Sequence, residues 1–159
     1  MNRVFVAAAA ALSVAAVAGS TVVLSAGAAS AASAGARFTA DRAALATADK
    51  AFSTSFVAWE TSGKPASDTT SFVNTYVAAI ESDDHNLLNQ SWPAGAVADI
   101  DAVVRGDGAV VGVVDTLPSM SPSSTLTQWF LAYNADAAST VASANVVRHD
   151  LGLPLQSFS

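Results

Sequence analysis

The sequence predicts an all-α protein, an up-down-up-down four-helix bundle behind an N-terminal signal peptide. Three observations carry that expectation. Apolar residues recur at three- and four-residue steps in four separate segments, the period of an amphipathic helix. The joins between segments are short and marked by Gly, Pro and Ser, which favours antiparallel neighbours. Ahead of them all, residues 4–17 form an apolar run behind a single arginine.

That run has the layout of an export leader. Met1, Asn2 and Arg3 form a short positive start, and only Ser13 interrupts the Ala, Val, Leu and Phe that follow. A second apolar patch at residues 21–24 leads into small-x-small patterns: Ala26-Gly27-Ala28, Ala29-Ser30-Ala31, Ala32-Ser33-Ala34 and Ala34-Gly35-Ala36. The expected division is a signal peptide over residues 1–36, cut between about residues 28 and 37, and a helical domain over 37–159. A retained anchor needs about 20 apolar residues. Gly19 and Ser20 break this run, and no positive cluster follows it. The expected location is therefore secreted or extracytoplasmic, with no membrane span after cleavage.

The first amphipathic segment covers residues 39–62, with Leu45, Phe52, Phe56 and Trp59 on one stripe and Ala48 beside them. Thr39 reads as its N-cap, and Gly63 and Pro65 as its stop. The second begins near Ser67 or Asp68 and presents Phe72, Val73, Tyr76, Val77, Ile80, Leu87 and Leu88. Its polar run Ser82-Asp83-Asp84-His85-Asn86 either breaks the helix or exposes a turn. Trp92-Pro93 closes it.

The third segment covers 94–117, where Val97, Ile100, Val104, Val111 and Val114 keep heptad spacing despite Gly106, Gly108 and Gly112. Residues 109–114 are valine-rich enough for a strand, but a lone strand has no partner, so helix is expected. The fourth covers 124–151, with Leu126, Phe130, Tyr133, Ala137, Thr140, Ala144, Val147 and Leu151 in register. Gly152 and Pro154 end it. Residues 35–38 and 154–159 read as poorly ordered tails.

Composition excludes several functions. Lys+Arg 7 against Asp+Glu 13 gives −6, and loss of the leader removes only Arg3, leaving 6 − 13 = −7. Such a surface repels phosphate backbones, so nucleic acid is not an expected partner. The chain has no cysteine, which removes thiol catalysis, thiolate zinc sites and iron–sulfur clusters. A domain of about 120 residues can bury a working core without disulfides.

Residues suited to chemistry are few. Asp83, Asp84 and His85 are the metal-ligand candidates, needing further ligands from Asp99, Asp101, Asp107 or His149 on another element. The Glu-x-x-His pairs of di-metal bundles are missing. Tyr76, His85 and Tyr133, with Met120, are residue types able to hold haem iron, although no attachment motif accompanies them. Both tyrosines fall on apolar faces, where a core role is the commoner outcome. His149 suits the negative end of the last helix.

Asp107 falls on the apolar seam of the third segment. If buried there it needs a partner such as Arg105 or Arg148, or a proton. Arg105-Gly106-Asp107 spells an adhesion tripeptide, but a helix does not present it. No nucleophile elbow and no phosphate loop is present.

The Ala-rich leader, the four amphipathic segments and the ending Asn145-x-x-Arg148-x-Asp150-Leu151-Gly152-Leu153-Pro154 resemble small exported helical proteins of high-GC actinobacteria. That resemblance implies export and no particular activity. The expected function is non-enzymatic binding of a protein or cell-envelope component, through an exposed patch near Trp92 or Trp129, with no cofactor. One alternative is a carrier of a small apolar ligand or haem in a cavity lined by Phe52, Phe56, Tyr76 and Phe130. Another is a metal-dependent hydrolase, which requires Asp83, Asp84 or His85 to converge with carboxylates of another helix.

Overall fold

Three- and four-residue apolar spacing produces helices wherever the chain carries it. The computed structural model describes residues 26–120 and 126–157. Among them are four α-helices and no strand: α1 (Ala26–Glu60), α2 (Thr70–Leu88), α3 (Val97–Val114) and α4 (Leu126–Asp150). Short 3₁₀ turns at Ala66–Thr69 and Leu117–Ser119 lead into α2 and out of α3. The valine-rich 109–114 stretch is helical. No described helix is long and apolar enough to cross a membrane. The part of the expected leader at residues 1–25 lies outside the described residues, as do 121–125 and the last two residues.

Helix ends follow backbone chemistry. Gly63 adopts φ +68° just beyond α1, and Gly152 adopts φ +69° beyond α4. At the second, the Gly152 N–H bonds the His149 carbonyl and the Leu153 N–H bonds the Arg148 carbonyl. This is the paired Schellman closure that a left-handed glycine permits.

Several expectations are corrected. Thr39 is no cap: α1 continues through it, and its hydroxyl donates to the Gly35 carbonyl, 2.9 Å away. Residues 35–38 are not a loose tail, since Phe38 is fully buried with Ala34 one turn before it. The C-terminal segment is also tied down. Arg148 Nε donates to the Pro154 carbonyl, and the Asn145 side chain pairs both ways with the Gln156 backbone. Arg148 is therefore buried. The polar run at 82–86 does not break α2; Ser82, His85 and Asn86 are exposed there, while Asp83 points inward.

Each helix buries a seam of alternating three- and four-residue steps. On α2 it is Val73, Tyr76, Ile80, Asp83 and Leu87; on α3, Ile100, Val103, Asp107, Val110 and Val114. The α3 seam lies one residue from the expected one at two places, with Val103 and Val110 buried instead of Val104 and Val111. Leu88 and Val97, expected inside, are exposed. The apolar interior divides in two. One cluster gathers Leu45, Phe52, Phe56, Val73, Tyr76, Ile80, Val110, Val114, Leu117 and Trp129. The other gathers Ala34, Phe38, Leu87, Ala96, Ile100, Val103, Ala144, Val147 and Leu151.

Candidate functional site

Between those two clusters the seams carry polar residues at one level. On α1 Arg42 follows Phe38 and precedes Leu45; on α2 Asp83 lies between Ile80 and Leu87; on α3 Asp107 lies between Val103 and Val110. In each case the neighbours on either side belong to different apolar clusters, so the polar layer partitions the core. Thr140 of α4 reaches the same level against Gly106, where α3 and α4 approach closely.

One nitrogen organises the layer. Arg42 Nη1 stands 2.6 Å from Asp83 Oδ2 and 2.6 Å from Asp107 Oδ2, joining α1, α2 and α3. The aspartate side chains are 2% and 5% exposed and the arginine 14%, so solvent screens these ion pairs weakly. Asp84, half-buried, completes the group: one carboxylate oxygen from each of Asp83, Asp84 and Asp107 lies within 4.8 Å of the others. Three carboxylates and one guanidinium give −3 + 1 = −2 when all are ionised. Asp83 Oδ1 and Asp84 Oδ1 are buried without a hydrogen-bond partner, and such atoms normally have one.

The electrostatics follow from burial and from where the guanidinium sits. Burial opposes the Arg42 charge, but Asp107 and Asp83 outweigh it and hold the guanidinium above its ordinary range. Burial pushes the Asp83 carboxyl up, and contact with Arg42 partly offsets that. At Asp84 the Arg42 charge is the weakest of the influences. Burial first, then the negative charges of Asp107 and Asp83, push it up to about 7. Oxygen-only donors select hard cations, whose bonds of about 2.0–2.6 Å fit a cluster of this span. The group can therefore take up a proton at Asp84 or a divalent cation beside Arg42.

A second buried carboxylate lies seven residues along α1. Asp49 Oδ1 accepts the Tyr76 hydroxyl at 3.0 Å and the Tyr133 hydroxyl at 3.1 Å. Burial raises the Asp49 carboxyl above its ordinary value, and the two phenols partly counter that. Burial raises both phenols as well, so they remain donors.

The structure thus sorts the residues singled out above. Asp83 and Asp84 converge with Asp107, which is buried and partnered by Arg42 rather than by Arg105 or Arg148. His85 departs from the metal candidates: it is exposed on α2 and shares a hydrogen bond with Asn89 at 3.1 Å. Asp99, Asp101 and His149 are not part of the group, and His149 lies exposed beside Asp150. Tyr76 and Tyr133 commit their hydroxyls to Asp49, and Met120 packs on the larger apolar cluster. The expected cavity is filled by its own rings, with Phe52 and Tyr76 centroids 4.6 Å apart and Phe56 and Phe130 6.3 Å apart.

Neither tryptophan forms an outward patch. Trp129 is buried and donates to the Val113 carbonyl, while Trp92 donates to Leu87 and meets Phe38 edge-on. The Arg-Gly-Asp tripeptide is helical with its aspartate inside. Arg42 was absent from the sequence-derived candidates. Its signal was positional, a lone cation on the apolar stripe that runs from Phe38 to Leu45.

Fold and site together define a protein that is all-helical among the described residues and whose core is split by a layer of one guanidinium and three carboxylates. No protein-family model, curated protein or solved structure matches this chain.

Proposed function

We propose that this protein is exported from a precursor with a cleaved signal peptide and acts by binding rather than by catalysis. The ligand of its polar layer is a divalent cation such as calcium, magnesium or manganese. The observation that carries this reading is the convergence of Asp83, Asp84 and Asp107 around one guanidinium, with two buried carboxylate oxygens left without partners. Arg42 holds Asp83 and Asp107 in place and lowers their mutual repulsion, and the remaining charge of −2 matches one divalent ion. With Asp83 and Asp107 closed off and Asp84 the outermost member, the arrangement suits holding an ion rather than turning over a substrate.

Export and cation binding support one another. Extracellular calcium modules work with dissociation constants of about 10⁻⁴–10⁻³ M, within reach of a site with few ligands. The leader and the likeness to small exported helical proteins of high-GC actinobacteria support the compartment. In this reading the four helices form an up-down-up-down bundle. A protein or envelope partner would meet exposed apolar side chains such as Leu88, Leu131 and Leu155, because Trp129 is buried and Trp92 packs on Phe38.

Titration of each ion into chelator-treated protein, followed by calorimetry and thermal unfolding, tests the reading. A bound ion at about 100 times its dissociation constant stabilises the fold by about 2.7 kcal/mol. Asp84→Asn should abolish that gain. Absence of heat and of any thermal shift with all three ions at up to about 100 mM would overturn the proposal.

A further inference from the structure

We propose that the signal peptide is removed at Ala28–Ala29 or Ala31–Ala32, and that Ala34, which both later small-x-small patterns would discard, and Gly35, which the last of them would, are retained as part of the mature core. This rests on the export reading and goes beyond it by assigning the processing site.

The sequence offers four patterns over residues 26–36 and no means of choosing among them. The packing chooses. Ala34 is fully buried in the cluster of Phe38, Leu87, Ile100, Val147 and Leu151. Gly35 is also buried. A Cβ built on it would fall 3.1 Å from Leu153 Cδ2 and 3.5 Å from the Leu151 carbonyl oxygen, so the C-terminal turn sits directly on this glycine. Its carbonyl also accepts the Thr39 hydroxyl. Ala32 and Ser33, by contrast, are exposed.

The two later cuts have distinct costs. Cleavage after Ala36 removes both residues and leaves a void beneath Leu151 and Leu153, which close-packed cores tolerate poorly. Cleavage after Ala34 removes that buried residue and makes buried Gly35 the new terminus, where desolvation of a charged amine is unfavourable. Cleavage after Ala28 or Ala31 leaves the buried turn at Ala34 and Gly35 whole.

The test is intact mass and N-terminal sequencing of the protein recovered from the medium of a secreting bacterial host, using the full precursor and its Gly35→Val variant. The expected first residue is Ala29 or Ala32. The variant's mature form should be heavier by the difference between the two side chains, and should unfold several degrees lower because the added methyl groups press on Leu153. A mature chain starting at Gly35 or Arg37 overturns the assignment and leaves export standing. Equal masses for the two mature forms also overturn it. A chain found only in the cells and still beginning at Met1 overturns the export reading and the processing site together.

Discussion

Gly106 of α3 lies so close to Thr140 of α4 that a Cβ on the glycine would stand 2.6 Å from Thr140 Oγ1 and 3.2 Å from its Cα. In an exposed helix, glycine to alanine gains about 1 kcal/mol, but overpacking at such a contact costs about 1–3 kcal/mol. One of the close atoms is backbone, so the second effect should win. Gly106→Ala is expected to lower the urea midpoint. Gly108→Ala and Gly112→Ala, with nothing within 4 Å of the added carbon, should raise it. Thr140→Ala should recover part of the Gly106→Ala loss in the double variant.

Arg42 holds two buried carboxylates from two other helices. Arg42→Met leaves both uncompensated, and removing one partner of a buried pair costs about 3–5 kcal/mol. Replacing all three, as Arg42→Met with Asp83→Leu and Asp107→Leu, should return most of that loss, because no buried charge then lacks a partner. Urea unfolding of the single and triple variants in metal-free buffer measures the difference. A triple variant no more stable than Arg42→Met would contradict this account of the layer.

Asp84 predicts a pH dependence. Its folded-state value of about 7 stands above the ordinary 3.8, so between those limits the folded protein keeps a proton that the unfolded chain has released. Stability that is fully present below the unfolded value is therefore lost as pH rises toward 7. Water reaches half of this side chain and discounts the effect, so Asp84→Asn should gain about 1 kcal/mol at pH 8 relative to pH 4. Thermal unfolding in metal-free buffer across that range should show a flatter profile for the variant than for the parent.

Asp49 is the acceptor for two phenols within the aromatic cluster. Asp49→Asn keeps an acceptor oxygen and should cost little. Asp49→Leu strands two buried hydroxyls, each worth about 1–3 kcal/mol when unsatisfied. Adding Tyr76→Phe and Tyr133→Phe to Asp49→Leu should restore stability, and the urea midpoints of the series decide it.

Local chemistry made the helical class legible. The repeats through Phe52 and Phe56, through Val73, Tyr76 and Ile80, and through Ala144 and Val147 each report a helix face without reference to the rest of the chain. Gly63 and Gly152 mark helix ends because only glycine takes a positive φ cheaply, and both do so. Asp83, Asp84 and Asp107 could be singled out by type, and Asp107 by its place on a seam.

Only tertiary structure decided what those residues meet. Arg42 is 41 residues from Asp83 and 65 from Asp107, and no periodicity within one helix says which residue of another reaches its level. A helix seam is also broader than one residue, so choosing Val103 over Val104 depended on the facing helices. The buried turn at Ala34 and Gly35 was hidden for a related reason: small residues read equally well as a cleavage signal or as close packing. The neighbours that separate the two, Leu151 and Leu153, come from the far end of the chain. The sequence determined the helices and where most of them stop; the contacts between them, set by long-range packing, determined the site.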